Sequence, residues 1–66
     1  MFAENLKNLR TTSKVGQKEL ANLLNISVKT VSHWETGYCE PSIAQLITLS
    51  DFFGISIDEL VGKNNI

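Results

Sequence analysis

This chain has little that staples, kinks or anchors it. One cysteine in 66 residues cannot close an internal disulfide, so no covalent framework offsets the small size. One proline leaves helices almost uninterrupted, and only four glycines are available to stop them. No apolar run exceeds three residues, which excludes a membrane-spanning helix. The opening Met1-Phe2-Ala3-Glu4 lacks the basic start and apolar stretch of a secretory signal, so a soluble, cytoplasmic protein is expected. The chain is too short for a catalytic domain with an accessory lobe, and residues 1–66 are expected to form a single domain. Hydrophobic residues make up 42% and charged residues 20%, a globular composition.

Net charge is only −1, which by itself argues against a polyanionic partner. The mean conceals a division. Residues 1–33 carry Lys7, Arg10, Lys14, Lys18 and Lys29 against Glu4 and Glu19, a balance of +3. Residues 34–66 carry Lys63 against Glu35, Glu40, Asp51, Asp58 and Glu59, a balance of −4. A domain divided in this way can turn a positive face toward a polyanion while its back stays acidic.

The punctuation predicts five short helices. Phe2, Leu6 and Leu9 follow i, i+4, i+7 spacing and predict a first helix over about residues 2–13, with a break at Val15-Gly16. A second runs from Gln17 to Leu24 and ends at Asn25, a residue that tolerates the left-handed conformation. Ser27 caps a third, from Val28 to Glu35 or Thr36, with Gly37 just past its end. Ser42 and Gln45 form a capping box for a fourth, which stops at Gly54. Ser56 and Glu59 open a fifth, ending near Gly62. No stretch alternates in the two-residue period of a strand, so the expected fold is all-α, a compact arrangement of five helices.

The apolar stripes must cover one another. The expected core is Leu6, Leu9, Leu20, Leu24, Ile26, Val31, Trp34, Ile43, Leu46, Ile47, Phe53, Ile55 and Leu60. A core of this size leaves a margin on the order of 3–5 kcal/mol.

The informative segment is about residues 17–36: a helix, a tight turn around Asn25, and a second helix. On the third helix, Val31 and Trp34 point in one direction. Lys29, Ser32 and His33 point roughly opposite, and Val28 stands at the border. Helical angle alone leaves Val28 open between a base contact and the edge of the core. The outward face is short, polar and free of acid, as a helix entering a DNA major groove requires. Lysine donates to guanine O6 and N7, serine pairs with several base edges, and valine meets a thymine methyl. His33 offers a donor to a purine N7 or a phosphate. Gln17, Ser27 and Thr30 are uncharged donors near helix starts, where backbone N–H groups also favour phosphate. Arg10, Lys14 and Lys18 could add positive charge from the neighbouring helices.

Gln17-Lys18-Glu19-Leu20-Ala21, followed by Ile26-Ser27-Val28-Lys29-Thr30-Val31-Ser32-His33-Trp34-Glu35-Thr36-Gly37, resembles the helix-turn-helix of lambda-repressor-like and Cro-like (XRE-type) regulators. The likeness continues through Pro41-Ser42 and Gly54-Ile55-Ser56-Ile57-Asp58-Glu59-Leu60, nearly the whole chain. It implies a second helix lying across the DNA backbone and a third reading bases. By this resemblance Val28, Lys29, Ser32 and His33 match base-facing positions. Gln17, Ser27 and Thr30 match backbone-contacting ones. Arg10 and Glu35 match an internal salt bridge. The implied function is a transcriptional regulator, most simply a repressor, bound as a homodimer to a two-fold operator in double-stranded DNA.

Three departures from the family pattern stand out. Gly16 replaces the usual serine or threonine cap, and Asn25 replaces the usual turn glycine. Tyr38-Cys39-Glu40 occupies a loop that is often basic, leaving the Tyr38 hydroxyl as its best phosphate donor. Phe52, Ile57 and Val61 lie off the expected core face and are candidate dimer contacts.

Other chemistries find little support. His33, Cys39 and Glu40 lack the ligand spacing of a zinc site, and no cofactor or metal is expected. Ser32, His33 and Glu35 are neighbours on one short helix and cannot converge as a triad, so an enzyme is not expected. Cys39 reads as an exposed loop thiol. The competing reading is a protein-interaction module, such as part of an antitoxin or an adaptor, with DNA contact secondary. Lys63-Asn64-Asn65-Ile66 fits either a free tail or the start of a linker.

Overall fold

A computed structural model describes residues 2–62; the tail expected at residues 63–66 lies outside them. Five α-helices follow in order: α1 (Phe2–Thr12), α2 (Gln17–Leu24), α3 (Val28–Thr36), α4 (Ile43–Phe53) and α5 (Ile57–Val61). The described residues form no strand. No helix among them is long and apolar enough to cross a membrane.

The stops and starts are local chemistry. Ser27 Oγ accepts from the Thr30 N–H at 3.2 Å and so caps α3. Ser42 and Gln45 form a reciprocal box at the head of α4, and Ser56 and Glu59 do the same for α5. Asn25 adopts the left-handed conformation (φ 57°), and the Ile26 N–H reaches back to the Ala21 carbonyl at 2.9 Å. That wrap-around bond lets asparagine close α2 where glycine is more usual. The break after α1 is made one residue earlier than Val15-Gly16. Lys14 takes the left-handed conformation (φ 60°), and the Val15 N–H donates to the Arg10 carbonyl at 3.0 Å.

Gly16 has extended backbone and offers α2 no side-chain cap. A Cβ there meets nothing within 4 Å. Gly16→Ser therefore adds a cap acceptor and removes glycine's excess unfolded-state freedom without strain. A thermal melt is expected to show a gain of about 0.5–1 kcal/mol. A drop in the melting temperature would show that the segment needs glycine.

The core is Leu6, Leu20, Ala21, Val31, Trp34, Leu49 and Leu60, fully buried and contiguous. Leu9, Leu24, Ile26, Leu46, Phe53 and Ile55 close over it half-buried, together with Phe2 and Val15. Two expected core residues are not there. Ile43 is 75% exposed, Ile47 is also exposed, and Leu49 takes the buried position on α4. The reason is that α4 carries apolar side chains around most of its circumference, at 43, 46, 47, 49, 52 and 53. Periodicity then cannot choose its face; the docking of α5 does. Burying Leu46, Leu49 and Phe53 turns Ile43 and Ile47 outward.

Candidate nucleic-acid interface

α3 is held from two sides. α1 and α2 pack directly against it, and Val31 and Trp34 are its two fully buried side chains. The opposite surface is open: Lys29 is exposed and Val28 is 40% exposed. Ser32 and His33 are half-buried, at the flanks of that surface. The ambiguity over Val28 thus resolves to the outer side. Trp34 belongs to the core, as its phase with Val31 indicates.

One carboxylate on α3 would spoil this face if it pointed outward. Glu35 instead turns inward, its side chain only 4% exposed. Arg10 Nε donates to its Oε2 at 2.6 Å and Arg10 Nη2 to its Oε1 at 3.1 Å, a two-point pair between α1 and α3. The carboxylate raises the already high pKa of Arg10, first by hydrogen bonding and then by charge, against an opposing effect of burial. The guanidinium also donates to the Val15 carbonyl at 3.0 Å. The pair that the resemblance implied is present, and Arg10 is occupied within the protein.

Gln17 joins the same network. Its Nε2 donates to Glu35 Oε1 at 3.0 Å, tying the head of α2 to the end of α3. Because Nε2 is engaged there, a phosphate contact at Gln17 falls to the second amide N–H or the backbone. This bond escaped the sequence reading, which gave Gln17 only an outward role. Lys18, next along α2, is exposed. Gly16 leaves the first amides of α2 without a side-chain acceptor, and such amides with the helix dipole favour an anion.

At the head of α3, Ser27 and Thr30 share a hydroxyl–hydroxyl hydrogen bond of 3.0 Å. Ser27 is exposed and Thr30 half-buried, both at the start of the helix whose outer face carries Lys29. At the other end, Gly37 (φ 82°) closes α3, and the Tyr38 N–H donates to the His33 carbonyl at 2.9 Å. The Tyr38 ring packs on the His33 imidazole, with centroids 4.7 Å apart and planes at 52°. The helix-end geometry thus brings together two residues that the sequence gives separate roles.

The candidate dimer residues lie away from α3 in the chain. Phe52 is 42% exposed and packs edge-on against Phe53, with centroids 5.0 Å apart; Ile57 and Val61 are half-buried. Cys39 is exposed. Among the described residues, no group of three His, Cys, Asp or Glu side chains could hold a metal ion.

This arrangement of α2, turn and α3 matches known proteins. The family model described as Helix-turn-helix matches residues 6–60. The HTH-type transcriptional activator BcrR of Enterococcus faecalis is 40% identical over 60 residues, covering 91% of this chain and 29% of its own length. The HTH-type transcriptional regulator ImmR of Bacillus subtilis is 35% identical over 65 residues, covering 98% of this chain and 51% of its own. The chain thus spans about half of one relative and under a third of the other. The crystal structure of a transcriptional regulator from Listeria innocua superposes with a TM-score of 0.91 at 42% identity, covering 94% of this chain and 58% of that one. Fold, motif and sequence agree: the chain belongs to the helix-turn-helix family, of the XRE-like kind.

Proposed function

We propose that the chain binds double-stranded DNA by sequence, inserting α3 into the major groove, and acts as a transcriptional regulator. One observation carries the reading. The only carboxylate of α3 is folded inward onto Arg10, so the outer face presents Val28, Lys29, Ser32 and His33 with no opposing negative charge. In this role Lys29 donates to guanine, Ser32 and His33 to base edges, and Val28 touches a thymine methyl. Gln17, Lys18, Ser27 and Thr30 hold phosphates to either side, fixing the register in which α3 lies.

A single α3 buries too little surface for tight, selective binding. A homodimer on a two-fold operator remedies this, with half-sites about one helical turn apart. Phe52, Ile57 and Val61 are the side chains proposed for its contact. Repression by occupying the operator is the simplest outcome for so small a domain. One of the relatives is named an activator, so activation is the other outcome.

A salt titration of duplex binding tests the reading. Each phosphate neutralised by a cation contributes about −0.9 to the slope of log affinity against log salt. With Lys18 engaged on a phosphate, a slope of about −1 or steeper per domain is expected. A flat dependence, or no binding at low salt, would favour the protein-interaction reading. The exposed Ile43 and Ile47 on α4 and the acidic second half would then be the surfaces to test.

A further inference from the structure

The last turn of α3 contains a contact that the function above does not use. In a helix end closed by a left-handed glycine, the residue after the glycine donates its N–H to a carbonyl five residues earlier, and the two side chains meet. Here those residues are Tyr38 and His33. The Tyr38 N–H bonds the His33 carbonyl at 2.9 Å, and the Gly37 N–H bonds the Trp34 carbonyl at 3.3 Å. Thr36 Oγ1 also donates to the His33 carbonyl at 3.2 Å, so the backbone at His33 is held by several donors. The side chain above it is then packed by the tyrosine ring, 4.7 Å away.

We propose that Tyr38 is a positioning residue for base recognition, acting through the ring of His33 rather than through its own hydroxyl. The inference rests on the DNA-reading role of α3. A histidine on an open helix surface samples several staggered rotamers, and ordering one of them on binding costs conformational entropy. A ring against the imidazole removes part of that freedom in advance. An imidazole N–H lies in the ring plane, so an edge that the tilted tyrosine ring does not cover can donate to a purine N7 in the groove. Tyr38, outside the recognition helix, thereby sharpens the preference for one base pair without touching it.

The test uses the duplex that the wild-type chain selects from a random pool, and single-base variants of it. The chain is compared with Tyr38→Phe, Tyr38→Ala, His33→Ala and the double variant. Tyr38→Phe is expected to keep affinity and preference within about twofold. Tyr38→Ala is expected to lose about fivefold or more of the discrimination at the same base pair that His33→Ala flattens, the low end for one base-edge contact. In the His33→Ala background, Tyr38→Ala is expected to add nothing. A purely structural role at the helix end would lower the melting temperature without singling out one base pair.

Two results would overturn the proposal while leaving the DNA reading intact. In one, Tyr38→Phe weakens all duplexes equally and makes the salt slope about one unit shallower, the mark of a phosphate contact. In the other, Tyr38→Ala leaves every base preference unchanged. A wild-type chain that selects no sequence at all would overturn the DNA reading and this proposal with it.

Discussion

Trp34→Ala is expected to leave no cooperatively folded domain at 37 °C. Trp34 has the largest side chain in the core and is 1% exposed, enclosed with Leu6, Leu20, Val31, Leu49 and Leu60. Truncating it removes apolar burial and opens a cavity that five short helices cannot collapse around, at about 3–5 kcal/mol. The whole domain has a margin of that same order. Circular dichroism during heating checks it: the variant should show no sigmoidal transition, while Trp34→Phe should melt cooperatively at a lower temperature than the wild type. A Trp34→Ala melt within about 1 kcal/mol of wild type would mean that the core lies elsewhere. The consequence reaches function directly, because the same helix that buries Trp34 inward carries Lys29 outward.

The second large effect lies at the polar joint. Glu35→Ala strands a guanidinium that is only 13% exposed and frees the Gln17 amide from α2's tie to α3. Removing one partner of such a buried pair costs about 3 kcal/mol, since the remaining charge is neither solvated nor neutralised. Replacing both partners with apolar side chains of similar volume is often neutral or better. Chemical denaturation is therefore expected to show Glu35→Ala far less stable than Arg10→Met/Glu35→Leu. Equal destabilisation of the two would mean that the attraction within the pair, rather than the cost of an orphaned charge, dominates. The double variant would still lack the Gln17 tie, which makes it a probe of how much the joint contributes to the placing of α2.

The helix-turn-helix was legible because its signals are local and agree with one another. Ser27, Asn25 and Gly37 each take the backbone role that their residue type favours, so the bounds of α2 and α3 follow from the chain alone. The inner and outer faces of α3 were also legible, since Val31 and Trp34 share one helical phase, roughly opposite Lys29, Ser32 and His33. What was not legible depends on distant partners. The facing of α4 is settled by α5, because apolar side chains surround α4 and no single stripe stands out. The Gln17–Glu35 bond joins residues eighteen apart whose types allow many other partners. The left-handed Lys14 gave no warning, since lysine seldom takes that conformation, and here Val15 bonding back to Arg10 holds it. The His33–Tyr38 contact was recoverable in principle: a helix ending in Gly37 places the next residue over the one five before it.

The most direct measurement is selection of duplexes from a random pool by the wild-type chain and by Lys29→Ala in parallel. If residues 28–33 read bases in the major groove, the wild type should recover a defined half-site. Lys29→Ala should then lose about 1–3 kcal/mol of discrimination at one base-pair position, with the others retained. Identical preferences from both proteins, or no enriched sequence from either, would contradict the placement of α3 in the groove.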